Sequence, residues 1–285
     1  MSATGRAGFD TAGSLYAAVE HIATNLLIWA AALFGPKRRL ARRPRYRALL
    51  HRHQRHGLIV LGLALAAMIL LDPFVGAVIA ALPRPVVNLF AAVTDFGLSG
   101  VVLYPVGIGL VVMAALTSPA LAQMTRSVLA ALVVRLGFIF VAVGLTGLIA
   151  TTLKRLIGRV RPSSARGAFA FEPFSWRPDY ASLPSGHSVT AFSVLVAFGF
   201  LFPRLRPLLW IYAVIIAVSR VVVSAHFPSD VIVGAAFGAL GAVLVREWFA
   251  SRRLGFFVDS EGVVRSFPGP SFTRARRAIG TALAR

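Results

Sequence analysis

Three short blocks of this sequence carry side chains suited to gripping and transferring a phosphoryl group: Lys154-x6-Arg161-Pro162, Pro184-Ser185-Gly186-His187, and Ser219-Arg220-x5-His226-x3-Asp230. A phosphoryl group in transit spreads negative charge over three equatorial oxygens, which fixed cations and aimed backbone N–H groups stabilise. Lys154, Arg161 and Arg220 are the candidate cations: arginine gives a planar two-pronged grip and lysine a point charge. Ser185-Gly186-His187 reads as the opening of a helix, where free N–H groups and the helix dipole favour an anion and glycine lets the backbone come close. His226 and Asp230, four apart, are expected on one helix face. There the carboxylate fixes the imidazole tautomer and leaves the other ring nitrogen free to attack phosphorus. His187 is then the candidate acid for the leaving alkoxide, and afterwards the base for the water that hydrolyses a phosphohistidine. The scheme calls for no cofactor and no metal. The carboxylates outside these blocks on the same face, Asp72, Asp95, Glu172 and Asp179, are too scattered in sequence for a two-metal cluster.

Such groups work only if distant segments bring them together, and the composition says what kind of scaffold does so. Of 285 residues, 57% are hydrophobic and 14% charged, where a soluble domain carries about a quarter charged residues. Long apolar runs separated by short polar stretches predict an all-α, six-transmembrane helical bundle. The spans are read at about 57–71, 98–117, 127–153, 186–202, 208–223 and 230–245, with 74–97 as a surface or re-entrant piece. Leu15, Val19, Ile22, Leu26, Trp29 and Leu33 recur at spacings of four and three, which predicts an N-terminal amphipathic helix lying on the membrane or docked on the domain. Glu20, His21, Thr24 and Asn25 are placed on its other faces. The chain divides into 1–56 (amphipathic helix and basic segment), 57–248 (the six-span unit) and 249–285 (a basic tail). There are no cysteines, so disulfides and thiolate metal sites are excluded. The N-terminus lacks the pattern of a cleaved signal peptide.

The formal charge of +20 does not indicate a nucleic-acid partner, because of where it sits. Nine Lys/Arg lie between Pro36 and His56 and eight Arg between Arg246 and Arg285. Both clusters flank apolar spans, where basic residues anchor orientation and meet anionic lipid headgroups. Six spans place both clusters on one side, joined by Arg126, Arg204 and Arg206, against eight Lys/Arg on the other. The positive-inside rule makes the first side cytoplasmic, with both termini inside a bacterial plasma membrane and the three blocks facing the periplasm or exterior. Arg155, Arg159, Arg166 and Arg177 read as interfacial anchors. Arg135, in mid-span, demands a partner. Phe169, Phe171, Phe174, Trp176 and Tyr180 make the loop before the fourth span aromatic, as an interfacial belt or a lip around the site. Gly234-x3-Gly238 predicts close helix packing.

Together the blocks resemble the signature of the type 2 phosphatidic-acid phosphatase superfamily, which includes membrane lipid phosphatases, soluble bacterial acid phosphatases and vanadium haloperoxidases. Every specified motif position from Lys154 to Asp230 is matched. The resemblance implies a helical bundle, the roles given above to Lys154, Arg161, Ser185, Gly186, His187, Arg220, His226 and Asp230, and a membrane lipid phosphate as substrate. Candidates are phosphatidylglycerophosphate, phosphatidate, undecaprenyl pyrophosphate and the lipid A phosphate. A lipid phosphotransferase sharing the same intermediate, a haloperoxidase and a non-catalytic membrane binding or transport protein are the alternatives.

Overall fold

The computed structural model describes residues 4–35, 46–164 and 166–284, with side chains from residue 14 in the first stretch and from residue 54 in the second. Residues 36–45, which hold much of the first basic cluster, lie outside the described residues. The helices are α1 (Thr4–Phe34), α2 (Tyr46–Leu70), α3 (Val75–Ala80), α4 (Arg84–Thr94), α5 (Ser99–Leu116), α6 (Gln123–Ile157), α7 (Gly186–Leu201), α8 (Arg206–Val222), α9 (Pro228–Ser251) and α10 (Phe272–Leu283). A small antiparallel hairpin pairs β1 (Phe256–Val258) with β2 (Val264–Ser266).

The six-span core is α2, α5, α6, α7, α8 and α9, an up-and-down bundle in which consecutive members reverse direction. Six segments of the described residues are long and apolar enough to cross a membrane: Ser14–Phe34, Gln54–Ala80, Arg84–Leu116, Gln123–Ile157, Pro203–Val222 and Pro228–Ser251. That set includes α1 and omits α7. Sixteen helical residues reach about 24 Å, short of a hydrocarbon core of about 30 Å. The reason a short helix suffices is its place: α7 packs on α9, α8 and α6 at once and meets neighbours rather than lipid over much of its length. Val189, Ala191, Val194, Leu195 and Ala197 are all buried.

Two glycines of α9 let α7 come this close. A Cβ at Gly238 would lie 2.3 Å from the carbonyl oxygen of Val189, and one at Gly234 would lie 2.6 Å from that of Ser185. Small residues at a helix crossing permit backbone contact of this kind. Residues 74–97, read as a surface or re-entrant piece, form α3, α4 and flanking 3-10 turns at one end of the bundle.

α1 is docked on the domain. Its inward stripe is the later half of the predicted one, Ile22, Leu26, Trp29 and Leu33, whereas Leu15 and Val19 are exposed. Asn25, expected on another face, points inward and donates to the carbonyls of Ala114 (2.8 Å) and Thr117 (2.9 Å) at the end of α5. Those carbonyls have no helical N–H to bond, so the amide satisfies acceptors that a helix end leaves open. Arg135 finds its partner in the C-terminal region: its guanidinium donates to the carbonyls of Ala131 (2.7 Å) and Phe267 (2.9 Å). This bond draws the segment after β2 onto α6, and α10 follows with Ala278 and Ala282 buried against the bundle.

Candidate active site

At one end of the bundle the C-termini of α2, α6 and α8 meet the N-termini of α5, α7 and α9, and there the three blocks converge. α6 ends at Gly158, whose φ of +61° and N–H to the Lys154 carbonyl form a left-handed cap. A side chain at that position would run into the carbonyl of Glu172. The cap leaves Lys154 on the last turn of α6 and reverses the chain, which returns in a β-bridge between Arg159 and Phe171. Arg161 is held by its N–H to the Asp179 carbonyl, 2.8 Å.

Ser185 is the N-cap of α7, but its hydroxyl accepts no backbone N–H of the first turn; it accepts instead from the side chain of Ser188, Oγ to Oγ at 3.0 Å. The N–H groups at the start of α7 are therefore left for a ligand. Lys154 stands directly over this turn, since a Cβ on Gly186 would lie 3.1 Å from its Nζ. Ser185 N–H donates to the Asp230 carbonyl, 3.1 Å, which ties the start of α7 to the start of α9. The imidazole of His187 packs on the turn at Gly97, within electrostatic reach of Arg220, His226, Lys154 and Arg161.

Arg220, at the end of α8, is buried. Its Nη1 donates to Thr94 Oγ1 at 2.7 Å, and the Thr94 and Ser219 hydroxyls are hydrogen-bonded at 2.9 Å while Ser219 Oγ donates to the Ile216 carbonyl at 2.7 Å. The Nε–H groups of Arg161 and Arg220 are buried without a hydrogen-bond partner among the described residues. Buried donors are nearly always satisfied, and leaving one unpaired costs about 1–3 kcal/mol. Arg246 and Arg252, at the other end of α9, share that property. What distinguishes the first pair is that histidines, a lysine and a helix N-terminus surround them. Burial pushes the Arg161 guanidinium below its ordinary value, though it stays the charged group of the pair it forms with any anion.

The expectation that His226 and Asp230 share a helix face is not met. His226 lies in the connection between α8 and α9, where its N–H donates to the Arg220 carbonyl (3.1 Å). Asp230 sits in the first turn of α9, which begins at Pro228. Proline fixes the start of the helix, and Asp230 Oδ2 accepts from Phe227 N–H at 2.9 Å as a cap. The two side chains still face each other, but His226 Nδ1 and Asp230 Oδ2 are 3.9 Å apart. Ser182 Oγ stands between them, 3.5 Å from Nδ1 and 2.5 Å from Oδ2. Burial pushes the His226 imidazole down to about 4 against the opposing pull of Asp230, so it is neutral at pH 7.

Two further readings are corrected. Arg159 is no interfacial anchor: it is fully buried and bridges two buried carboxylates, Asp230 Oδ1 at 2.6 Å and Asp72 Oδ2 at 2.7 Å. It also donates to the Ala168 carbonyl and stacks 4.5 Å from the ring centroid of Phe227. Asp72 is accordingly part of the site's foundation, accepting from Ser229 Oγ as well. The residues missed from sequence are therefore Asp72, Thr94, Arg159, Ser182 and Ser229. Only Arg159 carried a signal, as an extra arginine two positions before Arg161. Of the aromatic loop, Phe169, Phe174 and Trp176 are exposed and Tyr180 is buried under Arg166, which donates to its hydroxyl at 2.8 Å.

A cavity of about 290 Å³ leads from Gly186 and His187 between α5 and α6, lined by Leu103, Val143, Gly147 and Leu148 among others. One end is polar and carries His187; the other is apolar and lies along two candidate spans.

Residues 135–254 match the PAP2 superfamily. The chain is 38% identical over 208 residues to a lipid A 1-phosphatase of Rhizobium johnstonii, an alignment covering 72% of this chain and 84% of the relative. It is 42% identical over 127 residues to a lipid A 1-phosphatase of Rhizobium etli, covering 44% and 55%. Similar solved structures include a transmembrane PAP2 type phosphatidylglycerolphosphate phosphatase from Bacillus subtilis, with a TM-score of 0.47, 26% identity and coverage of 66% of this chain and 91% of that one. Aquifex aeolicus LpxE is another, with a TM-score of 0.44, 21% identity and coverage of 61% and 94%.

Proposed function

The chain belongs to the PAP2 superfamily, and from that premise we propose an integral-membrane lipid phosphatase that works through a phosphohistidine on His226. The Nε2 lone pair of His226 forms the N–P bond as the P–O bond to the lipid breaks, and His187 gives its proton to the departing oxygen. Water then attacks phosphorus, His187 takes the water's proton, the N–P bond breaks and phosphate leaves. Lys154, Arg161, Arg220 and the N–H groups opening α7 hold the equatorial oxygens throughout. The negative charge of the bound phosphate is what allows a protonated His187 among three cations.

The observation that carries this reading is the pair of buried, unsatisfied Nε–H groups of Arg161 and Arg220 beside both histidines and Lys154. One tetrahedral anion would satisfy them together. The cationic character of the pocket supports a reaction that needs no metal, since the two buried carboxylates at its base are already engaged by Arg159. The apolar cavity beside His187 supports a substrate whose tail stays in the bilayer while its phosphate reaches the site. Because a relative aligned over 72% of this chain is a lipid A 1-phosphatase, the phosphate on a lipid A-like glycolipid is the first substrate to assay, ahead of phospholipid and prenyl phosphates.

The six-span unit 57–248 carries the reaction, flanked by 1–56 and 249–285. The site faces the periplasm and both termini the cytoplasm, where the two basic clusters meet anionic headgroups.

The test is phosphate release from mixed lipid phosphates by the protein reconstituted in vesicles. His226→Ala is expected to lose activity by at least a thousandfold, chelators to leave it intact, and vanadate, which adopts the trigonal bipyramid, to inhibit. Wild-type phosphate release from His226→Ala would end the phosphohistidine mechanism.

A further inference from the structure

The unexpected position of Ser182 assigns it a task. We propose that Ser182, rather than Asp230 directly, sets the tautomer of His226, and that Arg159 and Asp72 are positioning residues that hold this relay in place. The inference rests on His226 being the nucleophile.

Distance is the first reason. At 3.9 Å, His226 Nδ1 and Asp230 Oδ2 are beyond a hydrogen bond, while the Ser182 hydroxyl is within 3.5 Å of one and 2.5 Å of the other. The donor and acceptor inventory is the second. Asp230 Oδ2 already accepts from Ser182 Oγ–H and from Phe227 N–H, and Oδ1 accepts from Arg159 Nη1–H. A hydroxyl has one proton and two lone pairs. Having given its proton to the carboxylate, Ser182 Oγ meets His226 only as an acceptor. Nδ1 must then carry the imidazole proton, and Nε2 keeps the lone pair that attack on phosphorus requires. When Nε2 bonds phosphorus the ring becomes cationic with Nδ1–H in place, and the bond through Ser182 Oγ to the carboxylate shortens and strengthens without transfer of a proton.

The third reason is that both ends of the relay are fastened to one buried side chain. Ser182 N–H donates to the Arg159 carbonyl at 3.0 Å, and the Arg159 guanidinium grips Asp230. Its other arm is held by Asp72, which comes from the end of α2 and is itself bonded by Ser229 Oγ and N–H. Asp72 and Arg159 act on His226 through Asp230, Ser182 and the neighbouring Phe227 ring, so both act by positioning.

The experiment uses the full-length protein in nanodiscs, with steady-state kinetics on the lipid phosphate and ¹⁵N NMR of labelled histidine. The ring-nitrogen shifts separate the two neutral tautomers, and His226→Asn identifies the resonance. Ser182→Ala is expected to lower kcat by on the order of 100-fold with KM within about twofold, and to replace a single Nδ1–H tautomer by a mixture. Asp72→Asn, nearly isosteric, is expected to lower kcat about tenfold with a smaller shift of the same resonance. A Ser182→Ala variant that keeps its tautomer, or its kcat to within threefold, overturns the relay. If Ser182→Ala does not fold, an Asp72→Asn protein with unchanged resonance and kcat overturns it as well. Failure of the underlying mechanism looks different: His226→Ala would then remain active, whereas a failed relay leaves His226→Ala inactive and Ser182→Ala active.

Discussion

Adding one methyl group at Gly238 should disable the site without touching it. The ideal Cβ would lie 2.3 Å from the Val189 carbonyl oxygen and 3.0 Å from two other Val189 backbone atoms. Ordinary carbon-to-oxygen contacts begin near ~3.3 Å, so α7 must move from α9 by about 1 Å at that level. The clash is with backbone, which no rotamer change relieves; overpacking of this kind costs about 1–3 kcal/mol. Val189 is one helical turn from Ser185, and the start of α7 presents His187 and the free N–H groups of its first turn. The start of α9 bears Asp230 and follows His226. A shift of about 1 Å between the two helix ends separates His187, the proposed acid, from His226, the proposed nucleophile, by the same amount, and misplacement of this size is worth roughly 100-fold in rate. Gly238→Ala should therefore show kcat reduced about 100-fold, with a lowered melting temperature in detergent. Gly137→Ala is the control: nothing lies within 4 Å of its Cβ, and the change should leave kcat unaltered while helix propensity rises. Measured side by side, wild-type kcat in Gly238→Ala would refute the claim that close approach of α7 and α9 sets the geometry.

Three other outcomes are expected. Thr94→Val removes the acceptor of Arg220 Nη1 and the hydroxyl bonded to Ser219 Oγ; hydrogen bonds to charged groups are worth about 1.5–3 kcal/mol, so kcat/KM should fall at least about tenfold, and an unchanged value would show that Arg220 needs no such support. Histidine NMR in the substrate-free protein should show His226 titrating near pH 4, because burial depresses it; it is neutral above that pH and protonated below. Asp230→Asn removes the charge that pulls the value up, so its midpoint should fall further, and a midpoint near the ordinary 6.5 in either protein would contradict the burial seen here. Arg135→Met breaks the bond to the Phe267 carbonyl; trypsin should then cut near Arg265 and Arg274 roughly tenfold faster, reflecting local opening eased by about 1.4 kcal/mol, and unchanged cleavage would mean that α10 holds the segment alone.

The family of this protein was legible in its sequence because a phosphate site demands residue types that few other roles combine. Two histidines, three cations and a glycine-bearing helix start, each at the edge of an apolar run, define both the site and the bundle that carries it. Hydropathy located the six core helices because a backbone in lipid must satisfy its own hydrogen bonds, which leaves helices as the economical answer for such a chain. Asn25 defeated the periodicity argument, since a polar side chain on an apolar face is invisible as a cap until the α5 carbonyls it satisfies are in view. His226 and Asp230 defeated the spacing argument, since four residues span a helical turn only where the chain is helical, and Pro228 starts the helix two residues too late. Asp72, Arg159 and Ser182 stand up to 157 positions from the partners they join, Asp72 and Ser229 being the extreme. Each of these is an ordinary residue type in a loop or at a helix end. Their function arises from burial, which forces every charge to find its counter-charge, and that pairing is decided where the six helix ends meet.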